Sequence, residues 1–188
     1  MKGVIVCCLQ KLVTEKFGKD KWNKSLVDSG VDPSTMFLPT SDVNDQTVMK
    51  VVQAVCKNLD ITLAQAADAF GEYWVNVYSQ NVYSSYYRSY KTAKEFLLKM
   101  DEVHMVMTKR MEDARPPRFT YEWESDNTLV MHYQSHRGLI DFAVGLVKGV
   151  GTFYNEDLLV SKEGPDRVRV VFQEALKKKS KKSLEFKS

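Results

Sequence analysis

The chain of 188 residues is 44% apolar and 27% charged, a composition that is typical of a globular protein. Its net charge is +3, but residues 177–188, with six lysines and one glutamate, contribute +5 and the other residues −2, which does not support a nucleic-acid-binding face. No apolar run is long enough for a membrane span or a signal peptide, so we expect a cytoplasmic protein that makes no membrane contact.

Apolar residues at three- and four-residue spacing predict a helical lobe over residues 1–115. The predicted helices cover residues 3–17, 20–29, 43–58, 62–79, 82–90 and 92–112. Gly18, Gly30 and Pro39 fall between predicted helices, and Arg115-Pro116-Pro117 follows the last of them.

After the double proline the period changes from helical spacing to alternation. Alternating segments predict strands over residues 119–125, 129–135, 157–163 and 166–172, with a helix over 138–155 between the second and third strands. The order predicts an α+β protein with a four-stranded antiparallel sheet in a C-terminal lobe, residues 116–173. We expect a single domain over residues 1–173, followed by a basic, mobile tail over 174–188.

Three cysteines, Cys7, Cys8 and Cys56, are present. An odd number with an adjacent pair is a poor disulfide framework, and the Cys-x-x-Cys spacing of zinc sites is absent. We interpret all three as small buried hydrophobic residues.

One histidine occurs in the middle of an apolar helical stripe. The stripe shares one helix face and comprises Leu97, Met100, His104, Met107 and Met111. A lone histidine in such a stripe is most often a core residue with a satisfied hydrogen bond. This stripe offers no polar partner, however, so the imidazole requires a metal, a ligand or a group from elsewhere in the fold.

Two further patterns are informative only in combination. Phe70, Trp74 and Tyr78 belong to an aromatic stripe at helical spacing, which by itself indicates a helix packed in a core. Tyr133, Ser135 and Arg137 alternate on a predicted strand and so point to one face, where they could bind carboxylates or phosphates. The alternative is a strand that ends in a surface arginine.

Other motifs are incomplete. The glycines between Gly145 and Gly151 lack the spacing of a phosphate-binding loop. His132 and His136 share a strand face but have no further zinc ligands nearby in the sequence. No serine or cysteine nucleophile stands beside a base in a recognisable motif.

Taken together, these residues resemble the H-NOX family, the haem nitric oxide/oxygen-binding domains that include the haem domain of the β subunit of soluble guanylate cyclase. The resemblance covers residues 1–173. It is carried by Met1-Lys-Gly3, Phe70-Gly-Glu-Tyr-Trp74, Asp101-Glu-Val-His104, Arg115-Pro-Pro117, Tyr133-Gln-Ser-His-Arg137 and Gly145-Leu-Val-Lys-Gly149.

The resemblance implies that haem b lies between the two lobes and that His104 is the proximal ligand of its iron. It further implies that Tyr133, Ser135 and Arg137 bind the haem propionates. Pro117 would press on the porphyrin, and Met100 would lie beside the haem.

Ligand choice depends on the distal wall, for which we predict Ile5, Leu9, Trp74, Tyr78, Phe142 and Leu146. Oxygen-binding members of the family carry a tyrosine at the position that Phe142 occupies here. Because bound dioxygen needs a hydrogen-bond donor more than nitric oxide or carbon monoxide does, we predict a sensor that binds NO and CO and excludes O2. Trp74 or Tyr78 as another donor would instead support O2 binding.

The resemblance also suggests a signalling mechanism, in which nitric oxide releases His104 and the haem and the two lobes rearrange. We expect a bacterial protein that signals in trans to a histidine kinase or a cyclic-di-GMP enzyme. Two competing hypotheses are a haem-dependent enzyme, for which the distal wall lacks an acid–base residue, and a haem-free interaction module.

Overall fold

The computed structural model describes residues 1–109, 111 and 114–173; the predicted tail lies outside the described residues. The helices are α1 (Gly3–Phe17), α2 (Lys19–Asp28), α3 (Asp45–Leu59), α4 (Leu63–Tyr73), α5 (Gln80–Arg88), α6 (Ala93–Leu98), α7 (Met100–Thr108) and α8 (Ile140–Tyr154). The strands are β1 (Arg118–Ser125), β2 (Thr128–Gln134), β3 (Leu158–Glu163) and β4 (Arg167–Phe172). None of these helices combines the length and hydrophobicity that a bilayer crossing requires.

The four strands form one antiparallel sheet in the order β1-β2-β4-β3. Central strand β2 is the most buried, with Leu129, Met131 and Tyr133 among its buried side chains. Phe119 and Tyr121 of β1 lie opposite Tyr133 and Met131, so these side chains share the face that meets the core. The predicted α+β class and the four-stranded antiparallel sheet are confirmed.

Two predicted helices are interrupted. The segment predicted as one helix over 62–79 leaves α-helical geometry after Tyr73 and continues as a π-helical turn, Trp74–Tyr78, in which the Ser79 N–H donates to the Trp74 carbonyl at 2.9 Å. The segment predicted over 92–112 breaks at Lys99, between α6 and α7. Neither break occurs at a proline or glycine, and the apolar spacing continues across both. The sequence therefore gives no signal of either break.

The buried apolar side chains form two clusters. One is built on α1–α4, and the other combines the sheet and α8 with residues of α5 and α6. The chain passes from the first to the second near Trp74, well before residue 115, the predicted lobe boundary. Trp74 and Leu146 pack against both clusters, so the space between them is where a site could form.

Helices α4 and α8 cross with their backbones in contact. A Cβ atom on Gly145 would lie 2.1 Å from the Ala67 carbonyl oxygen, and one on Gly71 would lie 2.1 Å from the Gly145 carbonyl carbon. Side chains are excluded at these two positions because the opposing atoms belong to helix backbones that have no room to move. The crossing therefore fixes α8 against α4 more rigidly than side-chain packing alone would.

Replacing Gly145 with alanine should lower the free energy of unfolding by about 1–3 kcal/mol, because the added methyl group would force α4 and α8 apart. Gly151→Ala on the same helix is the matched control. Its Cβ would meet side-chain atoms of Leu158 at 3.0 Å and the Glu156 carbonyl oxygen at 3.1 Å, contacts that a small shift relieves. Urea unfolding of both variants measures the difference, and equal losses would contradict this account of the crossing.

Candidate functional site

A cavity of about 840 Å³ lies between the two clusters. Such a volume is within the range of about 300–1,000 Å³ that is typical of small-molecule and cofactor sites. Side chains of β1, β2 and every helix except α2 line it, and most of them are apolar. His104 and Arg137 are among its polar lining residues.

His104 lies on α7, and its ring packs beside Phe119 of β1 with 5.9 Å between centroids. Its Nδ1 is buried and has no hydrogen-bond partner among the described residues. Burial lowers the pKa of the imidazole, while the Pro117 carbonyl and the Asp101 carboxylate oppose that shift. A buried imidazole whose Nδ1 has no hydrogen-bond partner does not fit the ordinary core histidine, and neutral imidazole is the form that binds metals.

The methionine stripe surrounds this histidine in the structure. Leu97, Met100, Met107 and Met111 all line the same cavity as His104, although the helix break at Lys99 places Leu97 on α6. Pro117, on the segment that leads into β1, lines it as well. Flexible thioether side chains can adapt to the surface of an irregular flat molecule.

Tyr133, Ser135 and Arg137 all line the cavity. The Arg137 guanidinium donates from Nε to the Asp45 carboxylate at 2.9 Å and from Nη1 to the Arg115 carbonyl at 2.6 Å. The backbone N–H of Arg137 donates to Ser135 Oγ at 3.3 Å. These contacts gather donors for carboxylates at one end of an otherwise apolar cavity.

Asp45 holds Arg137 at this end and was not predicted from the sequence. Its carboxylate lies 2.7 Å from the Met1 ammonium and 3.4 Å from His136 Nε2. Burial acts to raise the pKa of Asp45, but the Met1 ammonium and Arg137 lower it by more, so the pKa lies below its usual value. Asp45 is far from Arg137 in sequence, and only the fold brings them together.

Five of the six residues predicted for the distal wall line the cavity: Ile5, Leu9, Trp74, Phe142 and Leu146. Phe70 joins them, with its ring 5.9 Å from that of Trp74 and 5.4 Å from that of Phe142.

Tyr78, the sixth predicted residue, is not among the residues that line the cavity. It packs with the α1–α4 cluster and stacks on Trp74 at 5.7 Å. Tyr83 lines the cavity instead and stacks on Trp74 at 6.4 Å.

No group of three or more His, Cys, Asp or Glu side chains that could hold a metal ion occurs in the described residues. His104 is therefore a candidate single protein ligand, and a metal bound to it would take its remaining ligands from a cofactor. The cysteines do not contribute: they are free thiols, with Cys8 buried and Cys7 and Cys56 half-buried.

A sequence model of the family described as haem-NO-binding matches residues 2–162. The chain belongs to the haem-NO-binding family. The H-NOX resemblance is thereby confirmed. The residues present also fit haem, because a buried imidazole nitrogen without a hydrogen-bond partner, an apolar cavity and the arginines Arg115 and Arg137 match an iron, a porphyrin and two carboxylates.

Relatives of this haem-NO-binding chain include a soluble guanylate cyclase and several solved H-NOX domains. Soluble guanylate cyclase gcy-35 of Caenorhabditis elegans is 27% identical over 154 residues, which cover 80% of this chain and only 22% of that protein. A mutant Cs H-NOX domain is 26% identical with a TM-score of 0.81, covering 94% of this chain and 98% of that one. An oxygen-binding H-NOX domain related to soluble guanylate cyclases, solved as its oxygen complex, is 26% identical with a TM-score of 0.76 and covers 93% and 96%.

Asp45→Asn should lower the free energy of unfolding by about 1 kcal/mol or less at pH 7, because Asp45 is partly exposed to solvent. A carboxyl group with a lowered folded-state pKa stabilises the protein above its unfolded pKa, and this stabilisation is lost as the pH falls through the folded pKa. The difference from wild type should therefore fade below about pH 4. Urea unfolding at pH 7 and at pH 3 tests this, with Asp42→Asn, whose partner is Lys2, as the control. A difference that persists undiminished at pH 3 would refute the role of the charge.

Proposed function

We propose that this member of the haem-NO-binding family is a haem-based nitric oxide sensor in which His104 binds the iron of haem b. The observation that supports it is the buried His104 imidazole with an unpartnered Nδ1, facing an apolar cavity of about 840 Å³. Haem would supply a ferrous iron that binds diatomic gases. The protein supplies the iron ligand, the shape of the pocket and the groups that exclude water.

Tyr133, Ser135 and Arg137 are the proposed partners of the haem propionates. Arg137 is already oriented by Asp45 and the Arg115 carbonyl, so little side-chain freedom remains to be lost when a carboxylate binds. Pro117 and Met100 line the cavity as His104 does, and we propose that they contact the porphyrin.

The distal wall supports selectivity for NO and CO over O2. Ile5, Leu9, Phe142 and Leu146 line the cavity and offer no side-chain donor. Of the predicted distal residues that line the cavity, Trp74 alone carries a side-chain donor, its indole N–H, so these residues offer a bound gas at most one hydrogen bond. Bound O2, which carries more negative charge than bound NO or CO, would find little stabilisation there.

O2 binding is a second candidate function because Tyr83 lines the cavity with a phenolic hydroxyl. Its ring stacks on Trp74, one of the proposed distal residues. A donor at this place would take the role that a tyrosine at position 142 has in oxygen-binding members of the family.

Signalling would begin with His104. Release of His104 removes one of the contacts that hold α7, and a change in the position of this helix can be read by another protein or domain. The distal residues named above include no acid or base of the kind that haem enzymes use, so we propose a sensor rather than an enzyme. The partners we propose are those implied by the resemblance, a histidine kinase or a cyclic-di-GMP enzyme.

The visible spectrum of the reduced protein tests the proposal. We expect a ferrous haem that is unchanged by air and that loses its bond to His104 when NO is added. His104→Ala should abolish the wild-type ferrous spectrum, and added imidazole should restore it by replacing the missing ligand. Absence of haem from protein purified with added haem would refute the proposal. A stable oxygen complex that is lost in Tyr83→Phe would establish the second candidate instead.

Phe142→Tyr should create measurable O2 affinity, because it places a hydroxyl donor in the apolar distal wall. A charge-assisted hydrogen bond contributes about 1.5–3 kcal/mol, which corresponds to roughly a 10- to 100-fold gain in O2 affinity. Titration of the ferrous protein with O2 measures the gain, and Phe142→Leu is the control because it adds no donor. No gain in Phe142→Tyr would show that Phe142 does not face the bound gas.

A further inference from the structure

Helix α7 carries His104 but does not contain the means to hold its own position. It has only nine residues, and Lys99, which precedes it, makes no side-chain capping hydrogen bond. A helix of this length is not stable alone, and the N–H groups of its first turn need partners from outside the helix. The position of His104 therefore depends on what holds α7 against the rest of the protein.

Strand β1 provides these partners through a reciprocal exchange of hydrogen bonds. The Asp101 N–H, in the first turn of α7, donates to the Tyr121 hydroxyl at 3.3 Å. In return, the Phe119 N–H donates to the Asp101 carboxylate at 2.9 Å. The Arg118 guanidinium binds the same carboxylate through Nε and Nη2, both at 2.7 Å, which is the bidentate geometry of the strongest ion pairs.

Beyond the first turn, the contacts between α7 and β1 in the described part of the chain are weaker. His104 packs on the Phe119 ring, and Met105 Sδ accepts a hydrogen bond from Arg118 at 3.2 Å. Met105 and Val106 are more than half exposed. In the described residues, the strongest polar contacts between α7 and β1 are therefore those of the first turn of α7, whereas Val103 and His104 are held by burial.

We propose that Asp101 and Tyr121 anchor the first turn of α7 to β1, so that α7 pivots about this turn when His104 is released. The inference rests on the proposed function, because it takes His104 as the iron ligand. Asp101 lies three residues before His104, on the same face of the helix, so the anchor also sets the direction of the imidazole. Asp101 and Tyr121 are positioning residues, since they act on the site only through α7.

The anchor has a consequence for the response to NO. A helix that is fixed to the sheet resists being drawn toward the cavity, so the anchor would favour loss of the bond between His104 and a haem iron in the presence of NO. Loosening the anchor lets α7 follow the imidazole. A larger fraction of the protein should then keep His104 bound in the presence of NO.

Tyr121→Phe is the sharpest variant, because it removes only the hydroxyl and keeps the ring in the core. Glu102→Gln is the matched control, since Glu102 lies in the same turn but, among the described residues, forms its ion pair with Lys99, at 2.9 Å, and not with β1. In the haem-loaded full chain, amide hydrogen exchange of residues 100–103 should become roughly two- to tenfold faster in Tyr121→Phe and stay unchanged in the control. The fraction that keeps His104 bound after NO addition, read from the visible spectrum, should at least double.

The outcomes separate the anchor from the proposed function. If the wild-type protein binds no haem, or if its spectrum is unaffected by His104→Ala, the proposed function fails. If the wild type behaves as proposed but Tyr121→Phe matches Glu102→Gln in both measurements, the anchor is overturned. Asp101→Asn should produce the same changes as Tyr121→Phe, and Arg118→Lys should produce a smaller version because lysine retains one charged contact. If Asp101→Asn does not fold, Tyr121→Phe decides alone.

Discussion

Where α4 crosses α8, Gly71 and Gly145 let the two backbones approach so closely that a Cβ on either residue would lie 2.1 Å from a backbone atom of the opposing helix. The rest of the site follows from this contact. Phe70 and Trp74 follow along one helix and Phe142 along the other, so fixing the crossing also fixes the aromatic wall of the cavity. The Asn76 side chain donates to the Gly149 carbonyl at 3.1 Å and ties the π-helical turn to the same arrangement. Because these contacts involve helix backbones, the wall is positioned by close backbone packing rather than by adaptable side chains.

The surroundings of His104, unlike the tightly packed aromatic wall, are not optimised for stability. An unpartnered buried nitrogen costs about 1–3 kcal/mol, and the cavity beside His104 gives up packing that a larger side chain could provide. A protein selected for stability alone would give the His104 nitrogen a hydrogen-bond partner and would fill the cavity with side chains. The two features occur together on the short helix α7, whose first turn is hydrogen-bonded to β1. A rigid wall that faces a short helix suits the proposed sensor, since one side can move while the other keeps its shape.

The arginine side chains that line the cavity are concentrated at one end of it. Arg115 and Arg137 line the cavity and also a second, adjoining pocket that includes Asp45 and His136, whereas the aromatic wall is apolar. An amphipathic molecule with carboxylates at one edge can enter in one orientation only, because burying those carboxylates in the apolar part would be costly. The same cluster joins α3 to the segment after β2 through Asp45 and Arg137, so occupation of the carboxylate site also bears on how the two core clusters are held together.

The sequence by itself determined the fold class, the approximate bounds of the strands and most helices, and the residue types of the site. Periodicity carries that information, and the histidine in its methionine stripe, the Tyr-x-Ser-x-Arg strand and the double proline are local patterns. Only the tertiary structure decided the strand order, the break at Lys99, the π-helical turn after Tyr73, the presence of Tyr83 in the cavity wall, and the pairing of Asp45 with Arg137. Each of these depends on contacts between residues that are distant in sequence or on a shift of helical phase. These features leave no mark on the apolar spacing of the sequence, so the sequence alone does not predict them.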